Sequence, residues 1–388
     1  MSVTSAQGFR AAGVTAGIKA SGKPDLALVV NDGPLDVAAG VFTTNRFQAA
    51  PVQWSRQVVA DGRLRAVVLN SGGANACTGP EGFADTHHTA EQVAVSLTAL
   101  GTEVGPGDVA VCSTGLIGER LPMAVLLPGV DAAAEALAAD GGADAAVAIM
   151  TTDTVPKTAT VERDSVTVGG MAKGAGMLAP ALATMLVVVT TDAVVDAQAA
   201  DRVLRRATAY TFDRIDSDGC MSTNDTVLLL ASGASGVTLP EEALVELVTQ
   251  VCADLARQLI GDAEGASKDI EILVDHAATE AEALDVARTV SRSNLLKCAL
   301  HGEDPNWGRI LSAVGTTTAA FDPNLVDVAI NDVWVCQGGG VGQDRALVDL
   351  SGREVRIVID LAAGDAHATL WTNDLTADYV HENSAYAT

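Results

Sequence analysis

A chain of 388 residues is longer than one hydrophobic core usually serves, and with 48% hydrophobic residues but only 3% aromatics its core must be Ala, Val and Leu packed through helices and sheets. With 49 acidic against 24 basic side chains, a formal charge of −25 argues against nucleic acid and anionic membranes as partners and leaves small molecules. The six cysteines, at 77, 112, 220, 252, 298 and 336, are scattered without a Cys-x-x-Cys pair, which is cytosolic usage. Residues 1–19 hold no apolar signal core and no apolar stretch reaches membrane-spanning length, so the expected location is the cytoplasm.

In chain order, Leu26–Asn31 and Val37–Phe42 are apolar strands joined by the turn Asp32-Gly33-Pro34 and are expected to be neighbours. A buried strand at 66–69 runs into the polar, glycine-bearing loop 70–79, which either cradles a ligand with backbone amides or is a tight connection. Helical periodicity at 83–100 carries the adjacent His87 and His88, which face different ways and make a poor metal pair. The strand 109–112 ends at Ser113-Thr114-Gly115, and residues 130–150 read as an Ala-rich helix, broken near Asp140-Gly141-Gly142. Thr151-Thr152-Asp153-Thr154 then forms a polar cluster of cap and turn residues.

A hairpin from 157–162 and 165–168 delivers the chain to the stretch 169–193, where two kinds of sequence meet at Thr184. Before it, four glycines, the lone Lys173 and Met177-Leu178-Ala179-Pro180 read as irregular backbone. After it, Met185-Leu186-Val187-Val188-Val189 is a continuously apolar run of the kind that forms a strand buried on both faces. A Thr at the mouth of such a strand, preceded by the small Ala183, suits an N-terminal nucleophile. Its hydroxyl attacks the preceding carbonyl, the peptide becomes an ester, and hydrolysis frees the α-amine. That amine, with an ordinary pKa of about 7.7–8.0, then serves as the base for its own hydroxyl.

Beyond it lie an amphipathic helix at 195–210, the motif Ser222-Thr223-Asn224-Asp225-Thr226 before a strand at 227–230, and a long helix at 240–259 with a stripe of Leu244, Leu247, Val248, Val251 and Leu255. Glu264 sits in a Gly/Ala-rich loop before the strand 270–274. From about residue 277 the character changes to an acidic helix, HGEDPNWGRI at 301–310, a glycine run at 338–342 read as linker, and strands at 355–361 and 368–371. The reading therefore places a main domain at 1–276, containing the Ala183–Thr184 bond, and a smaller C-terminal α/β domain at 277–388.

KGAGMLAPALATML at 173–186, the Asn-rich loop 70–79, the Ser-Thr-Asn-Asp-Thr motif and HGEDPNWGRI together resemble the ornithine acetyltransferase family of arginine biosynthesis, from about Gly8 to the last residue. Cys220 and Met221 stand where that family more often has Asp-Thr, so no role is carried onto them. The resemblance implies an α/β fold, an N-terminal-nucleophile-like sandwich of sheets and helices formed by two interwoven cleavage products, two of each in the assembly. It implies Thr184 as nucleophile and amine base, and Thr114 with Gly115 as oxyanion hole. Thr151 (with Thr152 as the fallback), Lys173, Thr184, Glu264, Asn383 and Thr388 are implied as substrate-binding residues, the last two on a tail that returns to the pocket. The implied reaction moves acetyl from N2-acetylornithine to glutamate, with no metal or organic cofactor and with acetyl-CoA a second donor if the enzyme is bifunctional. The rivals are a self-cleaving amidohydrolase or aminopeptidase of the same type, and a non-catalytic scaffold.

Overall fold

The computed structural model describes residues 2–177 and 185–385. The first part of the chain forms β1 (Phe9–Val14), β2 (Leu26–Asn31), β3 (Val37–Phe42), α1 (Ala50–Val58), β4 (Ala66–Ser71), α2 (Gly79–Ala99) and β5 (Val109–Thr114). Next come α3 (Met123–Glu135), α4 (Gly142–Ala148), β6 (Lys157–Arg163), β7 (Val166–Lys173), β8 (Leu186–Thr191), α5 (Ala197–Ala209), β9 (Thr226–Ala231) and α6 (Glu241–Gly261). The remainder forms β10 (Asp269–Ala277), α7 (Glu280–Ser291), α8 (Asn294–His301), α9 (Trp307–Val314), β11 (Asp327–Ile330), β12 (Val333–Gln337), β13 (Gly340–Val341), β14 (Glu354–Asp360), β15 (Ala366–Asn373) and α10 (Ala377–Ala385).

These strands make three sheets, ordered β1-β2-β4-β5, β3-β9-β8-β7-β6 and β13-β12-β11-β14-β10-β15. The first two stack face to face. Because side chains alternate along a strand, one apolar run serves two cores. Ala27, Val29, Val67 and Leu69 of the first sheet meet Leu186, Val188, Leu228 and Leu230 of the second in a shared core. Leu26, Leu28, Val30 and Val68 point the other way, onto α2 and α3. Val187, Val189, Val227 and Leu229 point onto α5 and α6. The result is four layers, helices, sheet, sheet, helices, which is why these strands read as unbroken hydrophobic runs. The mixed α/β fold expected from the sequence is borne out. The third sheet packs a separate core against α7, α8 and α9, and its strands begin at Asp269.

Three local expectations are corrected. The strands β2 and β3 are not neighbours: β2 pairs with β1 and β4, whereas β3 pairs with β9, so the Asp32-Gly33-Pro34 turn carries the chain from one sheet to the other. The Asn31 side chain steadies this crossing by donating to Leu35 O at 3.1 Å and Ala231 O at 3.3 Å. Residues 169–173 are not irregular but continue β7, paired with β6 and β8. Small residues are needed there because α6 lies close: a Cβ on Gly170 would stand 3.0 Å from Leu255 Cδ1 and 3.1 Å from Val251 Cγ1. The glycine run at 338–342 is not a linker, since Gly338 and Gly339 take positive φ in the turn joining β12 to β13.

Leu255 is fully buried where α6 meets the second sheet. Leu255→Ala is expected to cost about 2–5 kcal/mol through lost burial and a residual cavity, read as a lower thermal unfolding midpoint.

Candidate active site

Parallel strands β4 and β5 end together, with Ser71 opposite Thr114. The loop that follows β4 folds back over that end: the N–H groups of Gly72 and Gly73 both donate to the Thr114 carbonyl, at 2.9 and 3.0 Å. The backbone leaves β5 through Gly115 at φ +132, where a Cβ would stand 2.5 Å from Gly73 N, so only glycine fits. Asn70 accepts from Ser113 Oγ at 2.6 Å, and Asn224 donates to Ala74 O at 2.6 Å and Ser113 O at 2.8 Å. The Asn-rich loop is thus a brace for the strand end, one of its two sequence readings, and the Ser-Thr-Asn-Asp-Thr motif braces it from the second sheet.

Across the sandwich, β7 ends at Lys173, whose side chain is 2% exposed and whose Nζ donates to Thr114 Oγ1 at 3.3 Å. Its counter-charge is Asp153, 3.9 Å away. Asp153 is fully buried and accepts from Lys157 Nζ at 2.7 Å, Gly174 N at 2.6 Å and Thr151 N at 2.9 Å. Lys157 reaches a second carboxylate, Asp262, at 2.6 Å, and Asp262 also accepts from Thr154 N at 3.0 Å. Burial alone would push Asp153 upward, but Lys173, Lys157 and the Thr151 N–H outweigh it and hold the carboxyl well below the usual range. Lys173 goes the other way: burial lowers its pKa, against the pull of Asp153.

Thr151, Glu264 and Asn383 line an open cavity of about 570 Å³ beside this network. Glu264 is tied to the chain after β7, its N–H donating to Ala175 O at 2.9 Å, and its Oε2 accepts from Asn383 Nδ2 at 3.1 Å. The turn before α10 is clipped to the same loop by Thr376 Oγ1 donating to Gly265 O at 2.6 Å. The structure therefore brings Thr114, Gly115 and Lys173 together at one end, Thr151, Glu264 and Asn383 around the cavity, and links the groups through Asp153. Ala183, Thr184 and Thr388 lie outside the described residues. Met185, the described residue that follows Thr184 in sequence, donates its N–H to Asp225 Oδ1 at 3.1 Å. Asp225 is fully buried, and burial pushes its carboxyl well above the usual range despite that N–H and Lys173.

Sequence reasoning read Asp153 as a cap residue and passed over Lys157, Asp262 and Lys19. Lys19 Nζ donates to Met150 O at 2.6 Å and so steadies the entry to Thr151. Its own loop is held by Asp25, which accepts the N–H groups of Ala16, Gly17, Ile18 and Lys19.

A buried polar site at a strand end, opening to a polar cavity at the edge of a layered α/β sandwich, is that of an enzyme acting on a small polar substrate. Residues 10–388 match the ArgJ family, and the chain belongs to it, among the acetyltransferases of arginine biosynthesis. It is 70% identical to the arginine biosynthesis bifunctional protein ArgJ of Streptomyces coelicolor and 67% identical to that of Streptomyces avermitilis, in both cases over 100% of either chain. Among solved structures, ornithine acetyltransferase from Mycobacterium tuberculosis complexed with ornithine is 62% identical, covering 48% of this chain and 96% of that one with a TM-score of 0.46.

Removing Asp153 leaves Lys157 and Lys173 buried with less compensation. Asp153→Ala is expected to cost about 3–5 kcal/mol, read as a shift in the denaturant midpoint. Because the folded carboxyl titrates below its unfolded value of about 3.9, its contribution is complete above that pH and lost as pH falls through the folded value. Acidification below about pH 4 should thus destabilise the wild type by a component that Asp153→Ala lacks, visible in the pH dependence of that midpoint.

Proposed function

We propose that this chain is an autoprocessed N-terminal-nucleophile acetyltransferase that moves acetyl from N2-acetylornithine to glutamate through an acetyl ester on Thr184. The observation that carries the reading is the Lys173–Thr114 contact at 3.3 Å, which sets a buried lysine on the hydroxyl of the residue that precedes Gly115 at one strand end. Membership of the ArgJ family supports the substrates.

The reading assigns roles as follows. Self-cleavage of the Ala183–Thr184 bond frees the Thr184 amine, which takes the hydroxyl proton as Oγ attacks the acetyl carbonyl. The oxyanion is received by the Thr114 hydroxyl and the Gly115 N–H, each such donor worth about 2.7–4 kcal/mol. Lys173, by donating to Thr114 Oγ1, leaves the hydroxyl hydrogen of Thr114 free for the oxyanion. The departing nitrogen regains the proton, ornithine leaves, and the glutamate amine attacks the ester to complete a ping-pong cycle. Thr151, Asn383 and Thr388 orient the amino acid, Lys173 attracts its α-carboxylate, and Glu264 takes the side-chain ammonium. Thr184 supplies both nucleophile and base, so the chemistry calls for no metal or organic cofactor. Acetyl-CoA serves as a second donor in a bifunctional form.

The second sheet draws β3, β6 and β7 from before residue 184 and β8 and β9 from after it. Cleavage products built on this sheet stay interwoven, two of each forming the assembly. The acidic surface and free cysteines suit the cytoplasm. The competing reading, an amidohydrolase or aminopeptidase, differs in letting water resolve the acyl-enzyme.

Intact mass spectrometry under denaturing conditions should find two chains, residues 1–183 and 184–388, and a single chain from Thr184→Ala, which should also lose transfer. Normal fragments from that variant would remove Thr184 as nucleophile. In the activity assay, ornithine release from N2-acetylornithine should depend on glutamate; acetate release indifferent to glutamate would instead establish the hydrolase.

A further inference from the structure

A second cavity, of about 310 Å³, lies on the other side of Glu264, which lines both. That volume is at the small end of ligand sites and suits the end of an amino-acid side chain. Its lining carries charges of both signs. Glu264 and Asp218 stand on one side of the balance, Lys297 and Arg292 on the other.

Not all of these charges are already spent. Arg292 is engaged by Asp216 at 2.7 Å. Asp374, also in the wall, accepts from Ser267 N and Lys268 N, both at 2.9 Å, and from His301. Lys297 is different. It is 6% exposed, and its ammonium donates to Ser217 O and to Thr372 Oγ1, among the described residues two acceptors for three hydrogens. Among the described residues Asp218 accepts only backbone N–H groups, from Met177 at 2.7 Å and Cys220 at 3.2 Å, and it carries further lone pairs. Asn373 also lines the cavity; it is 1% exposed, and its Oδ1 has no hydrogen-bond partner among the described residues. A buried cation with a spare hydrogen, a carboxyl with spare acceptor capacity and an orphaned amide oxygen around one small void are the marks of a site made for a polar group.

We propose that this cavity is a shared side-chain subsite, in which the ammonium end of one substrate is held by Glu264 and Asp218 and the carboxylate end of the other by Lys297. The inference rests on the acetyl-exchange reading. A ping-pong transferase must hold an ornithine side chain in one half-reaction and a glutamate side chain in the other, and a lining with groups of both signs meets both needs without rebuilding the pocket. The two groups also hold their charges loosely. Burial pushes Asp218 up to about 6, and burial pushes Lys297 down to about 8. Each is therefore close enough to neutrality to yield to the charge of the substrate.

The test uses specificity within each half-reaction, because a merely structural defect lowers both members of a ratio together. Glutamate is compared with glutamine as acceptor, and N2-acetylornithine with N2-acetylnorvaline as donor, by kcat/KM. Lys297→Met should lower the glutamate-to-glutamine ratio by about tenfold or more and leave the donor ratio in place. Asp218→Asn should do the converse. Unmoved ratios in both variants, or both ratios moved together by either, would overturn the subsite. If Lys297→Met does not fold, Asp218→Asn decides alone, since its donor ratio must fall while its acceptor ratio holds. Wild-type protein that moves no acetyl from N2-acetylornithine to glutamate would sink the functional reading instead.

Discussion

The arrangement depends on one buried carboxylate. Asp153 gathers the Lys157 ammonium and the N–H groups of Gly174 and Thr151 and stands 3.9 Å from Lys173, so the segment 151–157 and the end of β7 at 173–174 are pinned at one point. Buried ion pairs contribute little net stability over well-packed hydrophobic residues, but breaking one is costly. Such a network therefore acts mainly as a specification of position. It keeps Lys173 inside the sandwich and beside Thr114, where an isolated lysine would have taken its charge to water.

That buried charge is accommodated by the rest of the architecture. The two stacked sheets are apolar on both faces, and their strand ends are where polar side chains enter. Thr114 ends β5, Lys173 ends β7, and Asp225 stands immediately before β9, next to Met185 at the head of β8. Strand ends supply orphan backbone groups and an opening to solvent, while the strands themselves hold those ends rigidly. The braces made by Asn70, Asn224 and the paired N–H groups of Gly72 and Gly73 show how much hydrogen bonding is spent on keeping the end of β5 in place.

The third sheet contributes through its margins. Glu264 lies in the loop between α6 and β10, and α10 after β15 brings Asn383 to the same carboxylate. The segment that leaves β7 is held by Asp153 at Gly174, by Glu264 at Ala175 and by Asp218 at Met177. Elements before and after it in the chain thus converge on residues 174–177.

By itself the sequence determined the layered α/β character, because runs such as 26–30, 66–69 and 186–189 are long enough for strands and apolar at every position, which only burial on both faces explains. Glycine at 115 and the polar motifs at 70–79 and 222–226 were legible for the same reason: their chemistry is local. What the tertiary structure decided was partnership. Nothing in residues 26–42 reveals that the chain changes sheets at Asp32-Gly33-Pro34, since a turn looks alike whether it joins neighbours or crosses between layers. Nor could Asp153, Lys157 and Asp262 be told from ordinary cap and surface residues, because a charge becomes a buried network only through groups about a hundred residues away. Local sequence sets which elements form. Long-range packing sets which of their ends meet, and the site exists only where they do.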